Sequence, residues 1–84
     1  PNPFTPATNI KFELPQEAHV NLTVLDILGR KVRTLINGEM ITGGFHQIIW
    51  NGLSDSGAPA PSGVYVILFS ADNYIKYYKA LLIK

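Results

Sequence analysis

Cysteine is missing altogether from this 84-residue chain. Its absence removes disulfide scaffolds, thiolate metal sites and cysteine nucleophiles at one stroke. Charge is nearly as scarce. Charged residues make up 15% of the sequence and the formal net charge is +1, so no basic field exists to draw in nucleic acid or an anionic membrane. No apolar run approaches the length of a membrane span, and no signal-peptide pattern is present. Helical periodicity is also lacking, since nowhere does a 3.6-residue apolar pattern persist for the ten or so residues a helix needs. Catalytic groupings are thin as well. The six acids, Glu13, Glu17, Asp26, Glu39, Asp55 and Asp72, fall singly at turns and strand ends, with no paired carboxylates and no nucleophile beside a base.

What the chain does have is apolar content, at 46% hydrophobic residues. A domain this small buries only about 60–65% of its unfolded surface, so its core must be efficient. The sequence reads as one domain. It begins at Pro1 rather than Met and reads as a piece of a longer protein. Residues 1–6 hold three prolines and form a proline-rich opening segment, extended and non-helical. Phe4 within it is expected to plug onto the domain, which occupies residues 7–84.

Alternation marks the strands. Ile10, Phe12 and Leu14 share one face of Asn9–Leu14, and Val20, Leu22 and Val24 share one face of His19–Asp26. Gly29 marks a turn. Lys31–Ile36 is a shorter strand whose alternation is broken at Val32 and Leu35, as a bulge or an edge position would do. Asn37-Gly38 is a strong turn signal. His46, Ile48 and Trp50 share a face of Phe45–Trp50. Residues 51–63 are an irregular stretch of Gly, Pro, Ser, Asn and Asp. Val64–Ala71 is nearly all apolar, as a central strand covered on both faces would be. Asp72-Asn73 suits a hairpin turn before the last strand, Tyr74–Ile83. Six or seven short strands punctuated by turns predict an all-β, immunoglobulin- or fibronectin-III-like sandwich of about seven antiparallel strands.

Single residues offer little chemistry. His46 reads as a satisfied structural histidine and His19 as a solvated strand start. The loop Asn51–Gly57 offers oxygen ligands but one carboxylate, short of what calcium commonly takes; a hydrogen-bonded Asx turn explains it better. Asn21-Leu22-Thr23 matches the N-glycosylation pattern, yet Asn and Thr are ordinary on an outward strand face. Tyr65, Tyr74, Tyr77 and Tyr78 would make a sugar-stacking platform only if they shared a face, and Tyr77 and Tyr78 must point oppositely.

Four pieces of sequence then stand in order: Pro1-Asn2-Pro3-Phe4 with Leu14-Pro15; Val24-Leu25-Asp26-Ile27-Leu28-Gly29-Arg30-Lys31-Val32; Trp50-Asn51-Gly52 with Ser56-Gly57; and Pro61-Ser62-Gly63-Val64-Tyr65. Together they resemble the C-terminal sorting domain of type IX secretion cargo, and are similar also to the immunoglobulin-like domain of flagellar hook-capping proteins. The family's Trp-Asp-Gly is Trp50-Asn51-Gly52 here. The ending Lys79-Ala80-Leu81-Leu82-Ile83-Lys84 also resembles the sorting-domain terminus.

The sorting resemblance implies a non-catalytic attachment module of a larger secreted bacterial protein. Its partners would be the type IX secretion machinery and a sortase-like protease, with a catalytic or adhesive domain upstream and the product secreted or held at the cell surface. Partner recognition would fall on Lys79, Leu81, Leu82, Ile83 and Lys84. No enzyme activity, cofactor, metal, nucleic acid or transmembrane segment is expected. Two alternatives are a carbohydrate-binding or spacer sandwich of a polysaccharide-degrading enzyme, and a structural domain of a flagellar cap.

Overall fold

The computed structural model describes residues 7–84, so the opening segment 1–6 and the expected docking of Phe4 lie outside the described residues. Six strands follow in order: β1 (Thr8–Leu14), β2 (Ala18–Leu25), β3 (Lys31–Ile41), β4 (Gly44–Trp50), β5 (Gly63–Ala71) and β6 (Tyr74–Leu82). They form a two-stranded sheet, β1-β4, and a four-stranded sheet ordered β3-β2-β5-β6. Every pairing is antiparallel. The fold is therefore the expected all-β immunoglobulin-like sandwich, with six strands among the described residues.

The core is the sum of the inward periods. Ile10, Phe12 and Leu14 from β1 meet Val20, Leu22 and Val24 from β2 and Tyr65, Ile67 and Phe69 from β5, with Trp50 and Leu82 at one end. Alternation predicted these faces because a half-buried sheet strand turns every second side chain inward. Phe12 contacts Phe69 with ring centroids 5.0 Å apart, joining the two sheets.

β3 shows where the pattern was read well and where it was not. It is an edge strand, and its register against β2 shifts at three points. The pairs Val24–Arg33 and Leu25–Lys31 leave Val32 as an extra residue, and Leu22–Ile36 and Thr23–Thr34 leave Leu35 as another. These are the two positions that broke the alternation. Asn37-Gly38, however, is not a hairpin turn. β3 runs through it to Ile41, with Gly38 at φ 68° as the third bulge residue. A bulge with its first residue in the left-handed region needs the same glycine that a tight turn needs, which is why the two read alike.

β5 is central in hydrogen bonding, between β2 and β6, but nothing among the described residues covers its outer face. Val66, Leu68 and Ser70 there are only half-buried and Val64 is exposed. Its apolar run thus reflects crowding by flanking strands and not a third layer.

Candidate functional site

Buried chemistry is absent from the core: among the described residues no buried residue is polar or charged. The histidines have structural partners. His46 stacks on Phe12 at 5.2 Å, and its Nε2 lies 2.6 Å from the Thr42 carbonyl. The His19 N–H donates to Asp72 Oδ1 at 3.0 Å, and the Asp72 N–H donates back to the His19 carbonyl at 2.9 Å. No group of three or more His, Asp or Glu residues is placed to hold a metal among the described residues.

The conspicuous motif residues hold turns. Trp50 is fully buried and meets Tyr65 edge-on at 5.0 Å. Its indole N–H donates to the Leu53 carbonyl at 2.9 Å. Tyr65 in turn donates its hydroxyl to the carbonyl of Pro61, four residues upstream, in the manner of the tyrosine corner of immunoglobulin-type sandwiches. Burial raises the Tyr65 pKa first, and the negative charge of Asp26 raises it further. Asn51 forms the expected Asx turn, accepting the Leu53 N–H at 3.1 Å. Asp55 ties the loop to β3: its Oδ1 accepts the Thr34 N–H at 2.9 Å, and its own N–H donates to the Val32 carbonyl at 2.9 Å. The loop 51–62 thereby docks on the bulged edge of β3, which protects that edge from strand addition.

Asp26 organises the β2–β3 hairpin. Its Oδ1 accepts the N–H groups of Leu28 and Arg30, each at 2.9 Å, and its Oδ2 accepts Arg30 Nε at 2.7 Å. The backbone bond from Arg30 does most to hold the carboxyl below the usual carboxylate range, with smaller help from the Arg30 guanidinium and the Leu28 N–H, against some desolvation. This locked turn holds Ile27 and Leu28 in solvent, 73% and 71% exposed. Sequence reading gave Gly29 as the turn but missed the two apolar side chains it presents.

Surface, then, is where this domain can act. The five terminal-strand residues expected to recognise a partner do not lie together. Lys79 and Leu81 point outward from β6 beside Ile75 and Tyr77, and Ile83 and Lys84 are exposed beyond it. Leu82 is 1% exposed and belongs to the core, because it falls on the inward period with Tyr78 and Ala80. Cross-strand pairs Val64–Leu81, Val66–Lys79, Leu68–Tyr77 and Ser70–Ile75 make the outer face a mixed apolar ladder. Among the described residues the free side of β6 is unpaired, apart from one bond from the Thr8 hydroxyl to the Leu81 carbonyl at 3.0 Å. The tyrosines divide: Tyr65 is buried, Tyr77 faces outward, and Tyr74 and Tyr78 line a cleft. They do not form one stacking platform, which removes the observation a carbohydrate-binding reading needs. Phe45, on the outer face of the small sheet, is 84% exposed and was not singled out in the sequence.

Comparison with known proteins bears on which partners these surfaces meet. Residues 2–74 match the family described as FlgD Ig-like domain. The chain is 40% identical over 70 residues to the basal-body rod modification protein FlgD of Salmonella typhimurium, and equally to that of Salmonella typhi. Each match covers 82% of this chain but 30% of the relative. The solved structure of FlgD from P. aeruginosa superposes with a TM-score of 0.69 at 25% identity, covering 90% of this chain and 59% of that one. The chain thus spans under a third of the curated relatives it matches.

These matches overturn the type IX expectations. A sorting module, read by the type IX machinery and a sortase-like protease and sent to the cell surface beside an upstream catalytic or adhesive domain, is not what the matched proteins are. The three motifs within the described residues misled because they are fold-forming: Asp26, Gly29, Trp50 and Tyr65 lock turns and core, and such features do not name a partner.

Proposed function

This chain belongs to the FlgD Ig-like domain family, and we propose that it works as a non-catalytic structural module in flagellar assembly. It is not an enzyme. The family match over residues 2–74, with 40% identity to a basal-body rod modification protein, is the observation that carries this reading. Residues 7–84 would act as one rigid unit, and residues 1–6 as the segment leading into it. The sandwich would supply surfaces for other protein segments.

Within that role the outer face at the end of the chain is the element we assign to partner recognition. Lys79, Leu81, Ile83 and Lys84 carry exposed side chains there, and the β6 edge, unpaired among the described residues, offers main-chain groups to an added strand. Leu82 supports this face from the core and is not itself presented.

A domain exchange tests the reading. The matched region of the Salmonella typhimurium protein is replaced by this chain, and the hybrid is expressed in a strain lacking its own copy. Swimming in soft agar above that of the empty strain is the expected result. A hybrid present at normal level that leaves the cells non-motile contradicts the flagellar role.

A further inference from the structure

The two ends of the sandwich differ in a way the family reading does not account for. At one end, the hairpin between β2 and β3 holds Ile27 and Leu28 out in water, on a turn locked by the Asp26 carboxylate. The turn thereby presents an exposed aliphatic pair in a fixed place. Fixing one in place removes the ordering cost of burying it against something else. At the other end is a cleft of about 480 Å³ with an apolar floor of Phe12, Leu14, Phe69, Tyr74 and Tyr78. It opens where β1 and β6 diverge between the two sheets.

β2 sets the distance between them. Ala18 pairs at the cleft end and Leu25 at the hairpin end, so the two features lie roughly 23 Å apart along the strand at ~3.3 Å per residue. They share no residue, and one copy can use both at once. Their charges are complementary. The cleft end carries Glu13, Glu17 and Asp72 against Lys76 and a histidine, His19, while Lys76 lies 4.9 Å over the Tyr78 ring. The hairpin end carries Arg30 and Lys31 beyond Asp26, whose charge is matched by Arg30.

We propose that the Ile27–Leu28 tip of one copy seats in the Phe12–Tyr74 cleft of a second copy, as a head-to-tail contact. Such a contact is heterologous: it closes into a ring where the rotation between copies allows, and otherwise leaves a free tip and a free cleft at the two ends. Glu13 and Glu17 beside the cleft receive Lys31, Arg30 being held by Asp26, so association weakens as salt rises. The contact is independent of the flagellar reading, and its failure leaves that reading standing.

Two surface variants decide it. Ile27→Ser/Leu28→Ser removes the tip, and Tyr74→Glu places a charge in the cleft; all three side chains are exposed enough for folding to persist, which circular dichroism melting verifies. Sedimentation velocity of the 84-residue chain from about 10 µM to about 1 mM is expected to show concentration-dependent growth, reduced by salt. Each variant alone remains monomeric. An equimolar mixture of the two gives dimers that grow no further, because one intact tip and one intact cleft remain between them. A parent chain monomeric at the highest concentration overturns the proposal and leaves the tip for a chain of different sequence. Association that survives either variant, or a mixture that stays monomeric, overturns it equally.

Discussion

Replacing Trp50 tests the packing account at its centre. The ring is fully buried, touches Tyr65 at 5.0 Å, and its N–H satisfies the Leu53 carbonyl. Trp50→Ala removes a large buried ring and is expected to cost about 3–5 kcal/mol. A domain of this length has roughly 4–13 kcal/mol in all, so the variant stands near the limit of folding. Trp50→Phe keeps much of the ring and loses the indole donor. Leaving the Leu53 carbonyl unpaired and some volume unfilled is expected to cost about 1–3 kcal/mol. The assay is urea unfolding followed by far-ultraviolet circular dichroism, because Trp50 is the one tryptophan and its fluorescence vanishes with it. With a slope of ~1–1.5 kcal/mol per M, the alanine midpoint falls by about 2–5 M and the phenylalanine midpoint by about 0.7–3 M. An alanine variant within ~0.3 M of the parent would refute the burial of this ring as the anchor of the fold. Equal losses for the two variants would show that the hydrogen bond, and not the packing, carries the effect.

Tyr65→Phe loses the bond to the Pro61 carbonyl and is expected to lower stability by about 1 kcal/mol at neutral pH. Because the folded state raises the Tyr65 pKa, the parent loses stability as pH rises above about 10; melting temperatures there should fall more steeply for the parent than for Tyr65→Phe. Asp26 is shifted the other way. Its contribution is present above the ordinary carboxylate pKa of about 3.9 and is lost as pH falls through the lower folded value. The melting-temperature gap between the parent and Asp26→Asn should therefore close on acidification below about pH 4, and a gap that is constant with pH would contradict the ion-paired turn. Gly38→Ala has room for its Cβ, the nearest atom being Asn21 Oδ1 at 3.8 Å, but φ of 68° is strained for alanine. A loss of about 1 kcal/mol is expected by denaturation, with Gly38→Asn recovering part of it.

How far the sequence could be read follows from which signals are local. Inward faces of β1, β2 and β5 were legible because alternation is a property of each strand alone. The broken alternation at Val32 and Leu35 even located two bulges. Asn37-Gly38 was misread because a bulge and a turn place the same demand on glycine, and only the partner strand distinguishes them. Leu82 was counted as presented when three apolar residues in a row left its direction open; pairing with Gly63 fixes it inward. The Asp26 turn and the Asp55 contact with β3 depend on atoms brought together by folding, so neither bonding pattern showed in the chain. Partner identity was least legible. The motifs shared by the sorting and flagellar domains describe turns and core, while the side chains that meet a partner lie on the outer faces between them.

The direct test of surface recognition is a count of flagella by electron microscopy in cells carrying the domain-exchange hybrid. Two forms are compared: the unaltered domain, and one with Lys79→Ala, Leu81→Ser and Ile83→Ser. All three side chains are exposed, so the altered domain is expected to melt within ~5 °C of the unaltered one. The account predicts flagella with the unaltered hybrid and a marked loss with the altered form. Equal numbers of flagella in the two, at equal protein level, would contradict the assignment of partner recognition to this face.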